Sequence, residues 1–133
     1  MKHIKYLFVF SIVLMVLAGC QKVSDTRTEF CDSLRGVGAD AVAFKEAKVT
    51  EPVDEFRTKV EALQQKKTNL ERLARITSID GLDKVVAAID AVAQTATEIS
   101  GNTLGPAVEK VNTAGANLES AYLELNDAVC AAK

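Results

Sequence analysis

The strongest constraint on the fold is an apolar residue at every third or fourth position, repeated in four segments of the chain. This spacing places the apolar side chains on one face of an α-helix. Breaks at residues 49–52, 78–81 and 100–106, each with glycine or proline, separate the segments. Four such helices joined by short connections predict an all-α, up-down-up-down four-helix bundle. The apolar positions are Phe30, Leu34, Val37, Ala41 and Phe44; Val53, Phe56, Val60, Leu63, Leu70 and Ala74; Leu82, Val85, Val86, Ile89, Val92, Ala96 and Ile99; and Leu104, Val108, Val111, Gly115, Leu118, Tyr122, Leu125 and Val129.

The sequence also indicates where the helices begin and where two of them approach closely. The stretch from Thr26 to Glu29 has the form of a capping box, in which both side chains bond free backbone amides at a helix start. Thr50 and Asp80 precede the second and third segments, and their side chains suit the same capping role. Gly115 lies on the apolar face of the fourth segment, which predicts that another helix approaches closely there.

The first 20 residues have the organisation of a secretory signal peptide. Lys2 and Lys5 give a positive start, and the run Tyr6–Ala18 is nearly all apolar. This run is too short, and too closely followed by polar sequence, to be a membrane span. It ends in the Leu-Ala-Gly-Cys sequence of residues 17–20, a small-residue cleavage site followed directly by cysteine.

This Leu-Ala-Gly-Cys sequence resembles the lipobox of bacterial lipoproteins. In that family a diacylglyceryl group is attached to the cysteine sulfur, the signal peptide is cut before the cysteine, and the new amino group is often acylated, for example with palmitate. The resemblance implies loss of residues 1–19, a lipid on Cys20, a tether at residues 20–25 and a bundle at residues 26–133. Two or more acyl chains give stable membrane attachment, whereas one gives only marginal binding. The alternative is an ordinary secreted protein with a cysteine after its cleavage site.

The resemblance also implies a location, on the extracytoplasmic side of the cell envelope. In Gram-negative members of the family, an aspartate directly after the cysteine tends to retain the protein in the inner membrane. Gln21 occupies that position here, which favours the outer membrane if the cell is Gram-negative.

A lipid on Cys20 leaves Cys31 and Cys130 as the cysteine pair of the mature chain. In the oxidising compartment that a signal peptide implies, such a pair forms a disulfide by default. Two unpaired thiols in the core are the alternative. In an up-down-up-down bundle, the start of the first helix and the end of the fourth lie at the same end. We therefore expect a Cys31–Cys130 bridge at the base of the bundle, near the lipid anchor.

The composition of the mature chain argues against several function classes. Loss of Lys2 and Lys5 with the signal peptide moves the formal net charge from −2 to −4, which does not suit binding to nucleic acid. His3, the one histidine, is lost as well, and the chain has no tryptophan. The mature chain therefore cannot form Ser-His or Cys-His catalytic pairs, histidine-based zinc sites or Glu-x-x-His di-iron sites. We expect no cofactor, no metal site and no catalytic centre.

Two surfaces are candidates for contacts with other molecules. The outer face of the third helix is low in charge and has small side chains, so another helix could pack against it; alternatively, its alanines are simply good exposed helix formers. This face consists of Asp83, Ala87, Asp90, Ala91, Gln94 and Thr95. The final turns of the second helix carry cations that could contact anionic headgroups; alternatively, they complement the helix dipole. These cations are Lys66, Lys67, Arg72 and Arg75.

These patterns together predict a lipid-anchored interaction or structural module of the cell envelope without catalytic activity. Its expected partners are the membrane, through the lipid, and an unidentified envelope protein. The alternative function is binding of an apolar small molecule or lipid in the bundle core. A large internal cavity would favour the ligand binder, and a filled core beside a flat apolar strip would favour the interaction module.

Overall fold

The structure, a computed structural model, describes the backbone of residues 2–131 and the side chains of residues 24–131. The elements in chain order are α1 (Lys2–Lys45), α2 (Val53–Thr77), α3 (Asp83–Thr97), a 3₁₀ turn (Gly105–Ala107) and α4 (Val108–Val129). Within residues 2–131 there is no strand beyond one isolated β-bridge. The expected all-α class is confirmed.

The helices are arranged as the corners of a square. α1 packs against α2 and α4, and α3 packs against the same two helices. Successive helices run in opposite directions because their connections are short. This arrangement confirms the up-down-up-down four-helix bundle.

The core is formed mainly by the apolar residues that the sequence pattern places on the inner helix faces, with Leu73 and Ala114 in addition. Every α1 position of the pattern is buried, from Phe30 to Phe44. The rings of Phe44 and Phe56 meet edge to face, with centroids 5.6 Å apart and planes at 88°. Burial of a large apolar side chain contributes about 1.5–3 kcal/mol, so this core is the main source of stability. Val86, Ala96, Val108, Tyr122 and Val129 are only partly buried and pack at its margin.

α1 and α4 approach each other closely at two glycines. A Cβ atom built on Gly38 would lie 2.5 Å from Cε1 of the Tyr122 ring. A Cβ atom built on Gly115 would collide with the backbone nitrogen of Lys45 and would lie 2.7 Å from the carbonyl carbon of Phe44. The close approach expected at Gly115 is therefore confirmed.

The two ends of the bundle are held by different means. At the disulfide end, Cys31 of α1 is bonded to Cys130, directly after α4, with a Cα–Cα distance of 5.6 Å. This confirms the expected bridge. At the opposite end, called here the loop end, the α1–α2 connection pairs with the α3–α4 connection through a bridge between Pro52 and Thr103. The backbone hydrogen bonds there run from Val53 N to Asn102 O (2.9 Å), from Leu104 N to Glu51 O (3.0 Å) and from Gly105 N to Val49 O (3.1 Å).

The three side-chain caps expected from the sequence are wrong. α1 continues through Ser24, and the Thr28 hydroxyl donates to the Ser24 carbonyl one turn earlier, so Thr26 lies inside the helix. α2 starts after Pro52 and α3 after Leu82, neither with a side-chain cap. At α2 the first amide is bonded by the paired loop instead, which leaves no capping role for Thr50.

Among residues 24–131, no helix is long and apolar enough to cross a membrane. The structure describes no side chain of residues 1–23, which include the expected signal peptide and Cys20. Cleavage before Cys20 and lipidation of its sulfur therefore stay predictions.

Candidate functional site

The outer face of α3 is exposed as expected, with one correction. Asp83, Ala87, Ala91 and Gln94 are exposed on the helix surface. Thr95 is buried, with 8% of its surface exposed, and its hydroxyl donates to the Val92 carbonyl at 2.6 Å. Because Thr95 follows the core residue Val92 by three positions, it lies on the core side of α3. The α3 outer face is therefore Asp83, Ala87, Asp90, Ala91 and Gln94.

The larger exposed apolar side chains lie on other elements. Val42 belongs to α1, Ile76 to the last turn of α2 and Leu123 to α4, while Val49 lies in the α1–α2 connection. Single exposed apolar residues are common on soluble proteins. The sequence did not indicate these residues as candidates. Val42 and Leu123, for example, do not occupy positions of the regular apolar pattern.

The four cations of α2 have different environments. Lys66 forms an ion pair with Asp40 of α1 at 2.6 Å, and Lys67 forms one with Asp90 of α3 at 2.8 Å. Both lysines therefore bridge α2 to a neighbouring helix. Arg72 and Arg75 lie closer to the disulfide end.

The two arginines are held more loosely than the lysines. Arg72 lies 3.7 Å from the Glu29 carboxylate and donates to Asn69 Oδ1 at 2.7 Å. Arg75 donates to the Glu71 carbonyl at 3.4 Å. The guanidinium groups of Arg72 and Arg75 are thus the better placed of the four cations for a contact outside the bundle.

Ion pairs also join the remaining neighbours in the square. Lys45 pairs with Glu119 between α1 and α4, and Lys84 pairs with Glu124 between α3 and α4. Each partly exposed pair contributes about 0–1 kcal/mol to the free energy of unfolding. These pairs therefore add little stability, but they help to specify which helices are neighbours. Periodicity within one segment does not reveal such pairs, because each joins residues of two different helices.

Two lysine pKa values are shifted by these contacts. The hydrogen bond from Lys67 to Asp90 is the main cause that raises the pKa of Lys67 above its usual 10.5, with burial acting in the opposite direction. The pKa of Lys59 is raised mainly by its hydrogen bond to Glu51, again against the effect of burial. Both shifts stabilise a charged ammonium at neutral pH. They indicate structural ion pairs rather than groups prepared for proton transfer.

Asn112 of α4 has a structural role that the sequence did not indicate. Its Nδ2 donates to the carbonyl of Phe44 at 3.0 Å and to that of Ala47 at 3.1 Å. These carbonyls lie at the end of α1 and just after it, where intrahelical donors run out. The side chain of Asn112 thus caps α1 from a neighbouring helix.

The clefts in the described part of the molecule open to solvent. The larger ones include a cleft of about 550 Å³ between the end of α2 and the start of α3, lined by Arg75, Ser78 and Asp83 among others. Another, of about 290 Å³, lies against the disulfide. Among the described side chains, no group of three or more His, Cys, Asp or Glu residues is arranged to hold a metal ion.

Comparisons of the chain with protein-family models, with curated proteins and with solved structures found no match.

Proposed function

We propose that this protein is a lipid-anchored module of the bacterial cell envelope that binds a partner through its surface and has no catalytic activity. The observation that carries the proposal is the Leu-Ala-Gly-Cys sequence of residues 17–20, placed before a tightly packed helical bundle. Two or more acyl chains on Cys20 would hold the bundle at a bilayer. α1 passes Cys31 and leaves the bundle towards the N-terminus at the disulfide end, so that end would face the membrane.

The packing of the core supports an interaction module over the ligand-binding alternative. Phe30, Leu34, Leu63, Leu118 and other large side chains are fully buried against one another. The clefts described above lie at the surface and ends of the bundle rather than among these side chains. A ligand that occupied the core would have to displace them, at a cost of several kcal/mol for each large apolar side chain.

Labelling with a radioactive or clickable fatty acid in a bacterial host tests the anchor. The wild-type chain should be labelled and processed, whereas Cys20→Ser should be unlabelled and remain an uncleaved precursor. Cys31→Ser is the matched control, since it also replaces a cysteine with serine but keeps Cys20. Equal labelling and processing of wild type and Cys20→Ser would refute the anchor.

The partner surface is best tested by photocrosslinking in intact cells. A photoreactive amino acid at Ala87 or Ala91, on the α3 outer face, should give an adduct of one discrete mass. Ala62 is the control position, because it is an exposed alanine on α2, away from α3. The same pattern of adducts from Ala62 and Ala91, or none from either α3 position, would contradict a partner on this face.

We also propose a headgroup contact, now limited to Arg72 and Arg75. A basic side chain near an anionic surface contributes about 1 kcal/mol, and Lys66 and Lys67 are engaged within the bundle. The lipid-free wild-type domain should bind vesicles of phosphatidylglycerol at low salt more tightly than the Arg72→Gln/Arg75→Gln variant. Equal binding of the two proteins would refute the headgroup contact and would favour the alternative, in which these arginines only complement the helix dipole.

A further inference from the structure

Two arginines flank the disulfide on a single face of α1. Arg27, Cys31 and Arg35 are spaced four residues apart, so an arginine lies one helical turn on either side of Cys31. A cleft of about 290 Å³ is lined by all three residues and by Cys130. The disulfide is therefore reached from solvent through a cleft with cations on both sides.

The two sulfur-bearing residues are not equally accessible. Cys31 lies within α1 with 8% of its surface exposed, whereas Cys130 follows the last turn of α4 and is only partly buried. Cys130 is therefore the more exposed residue of the pair.

The two guanidinium groups are held by different contacts, a hydrogen bond for Arg27 and an ion pair for Arg35. Arg27 donates to the Val129 carbonyl at 3.1 Å, which holds it beside the end of α4. Arg35 pairs with Asp32 at 3.0 Å, and its side chain is 62% exposed. Asp32 lines the same cleft, so the three side chains carry one net positive charge. Cations beside a cysteine stabilise its thiolate over the neutral thiol.

We propose that the Cys31–Cys130 bridge is a thiol-exchange site that accepts small anionic thiols, rather than an inert cross-link. The thiolate sulfur of the small molecule forms a bond to Cys130 Sγ while the Cys31–Cys130 bond breaks. The electron pair of the broken bond goes to Cys31 Sγ, which leaves as a thiolate between Arg27 and Arg35. The product is a mixed disulfide on Cys130, and attack by the Cys31 thiolate reverses the step and releases the small thiol. The exchange needs no other oxidant or reductant, and it does not depend on the proposed function.

The size of the charge effect can be taken from Coulomb's law. In water, a unit positive charge raises the concentration of a univalent anion about 7 Å away roughly threefold at low salt. Asp32 offsets part of the effect of the two arginines. We therefore expect rates per thiolate to differ by about three- to tenfold between an anionic and a cationic thiol of similar size, and the difference should shrink as salt is added.

The test uses three thiols of similar size and different charge on the folded, oxidised protein. These are 2-mercaptoethanesulfonate (anionic), 2-mercaptoethanol (neutral) and cysteamine (cationic). Intact mass spectrometry follows adduct formation after acid quench, and peptide mapping locates the adduct. Rates per thiolate should fall in the order given, with the adduct on Cys130. In Arg27→Gln/Arg35→Gln, Asp32 is the one charged side chain left among those lining the cleft, so the order of the three rates should reverse.

A variant of equal charge change elsewhere provides the control. Lys48→Gln/Arg57→Gln removes two positive charges near the loop end, and its rates should retain the wild-type order. Three equal rates in the wild type, or an adduct on Cys31, would overturn the proposal. So would exchange whose rate is independent of thiol concentration and matches global unfolding, because the bridge would then react only in the unfolded chain.

Discussion

Replacement of Gly115 with alanine should force α1 and α4 apart and destabilise the bundle. The new Cβ atom would lie 2.7 Å from the Phe44 carbonyl carbon, whereas ordinary contact begins at 3.4 Å. The difference, 3.4 minus 2.7, requires a shift of at least about 0.7 Å, since the Lys45 backbone nitrogen would lie closer still. The obstructing atoms belong to the α1 backbone, so a change of side-chain rotamer cannot relieve the contact.

The magnitude follows from two opposing effects. Overpacking of a dense core costs about 1–3 kcal/mol. Alanine is favoured over glycine within a helix by about 1 kcal/mol. Because the contact is with backbone, we take the upper part of the overpacking range and expect a net loss of about 1–2 kcal/mol. For a domain of this size, that loss lowers Tm by roughly 5–10 °C.

Gly36→Ala is the matched control for this prediction. Gly36 is also in a helix, but the nearest atom to its new Cβ would be Lys66 Cε at 3.7 Å, at the end of a flexible side chain. It should stabilise the protein by up to about 1 kcal/mol, through helix propensity alone. Urea unfolding followed by circular dichroism measures both variants. A Gly115→Ala protein as stable as Gly36→Ala would refute the close approach of α1 and α4.

Three further predictions concern the contacts that hold the helices together. Cys31→Ser should lower the free energy of unfolding by about 4–5 kcal/mol in the chain-entropy model, while the helical circular dichroism of the folded protein is preserved. The wild-type protein under reducing agent should show the same loss of stability. Asn112→Asp should cost about 1–3 kcal/mol in urea unfolding, because a carboxylate cannot donate to the two α1 carbonyls, and an unchanged midpoint would argue against the cap. The raised pKa of Lys67 means that its ion pair contributes stability below pH 10.5, which is lost as pH rises through the folded-state value. The stability difference between wild type and Lys67→Gln should therefore be present at pH 8 and fade as the pH rises above 10.5, and a pH-independent difference would contradict it.

The general fold was predictable because it depends on periodicity within each segment. The spacing from Phe30 to Phe44 places an apolar stripe on α1 whatever its neighbours are, and the observed burial follows it. Gly115 was recognisable for the same reason, since it occupies a position of the stripe where a larger residue is expected. The pairing of Cys31 with Cys130 followed from the topology and the implied oxidising compartment.

What the sequence did not predict depends on contacts between distant elements. The capping role of Thr50 is replaced by the α3–α4 connection, whose Asn102 carbonyl accepts the Val53 amide. Thr95 was predicted to lie on the outer face, but it is buried with its hydroxyl bonded to its own helix. The cap that Asn112 provides joins α4 to the end of α1, so no local pattern marks it.

The most direct test of the proposed function is the intact mass of the protein extracted with detergent from the membranes of a bacterial host. We expect a chain of residues 20–133 that carries a diacylglyceryl group, with or without a further acyl chain, and that lacks two hydrogens because of the Cys31–Cys130 bridge. Treatment with a reductant after denaturation should restore those two hydrogens and leave the lipid in place. A chain that retains residues 1–19, or one that begins at residue 20 without any lipid, would contradict the account.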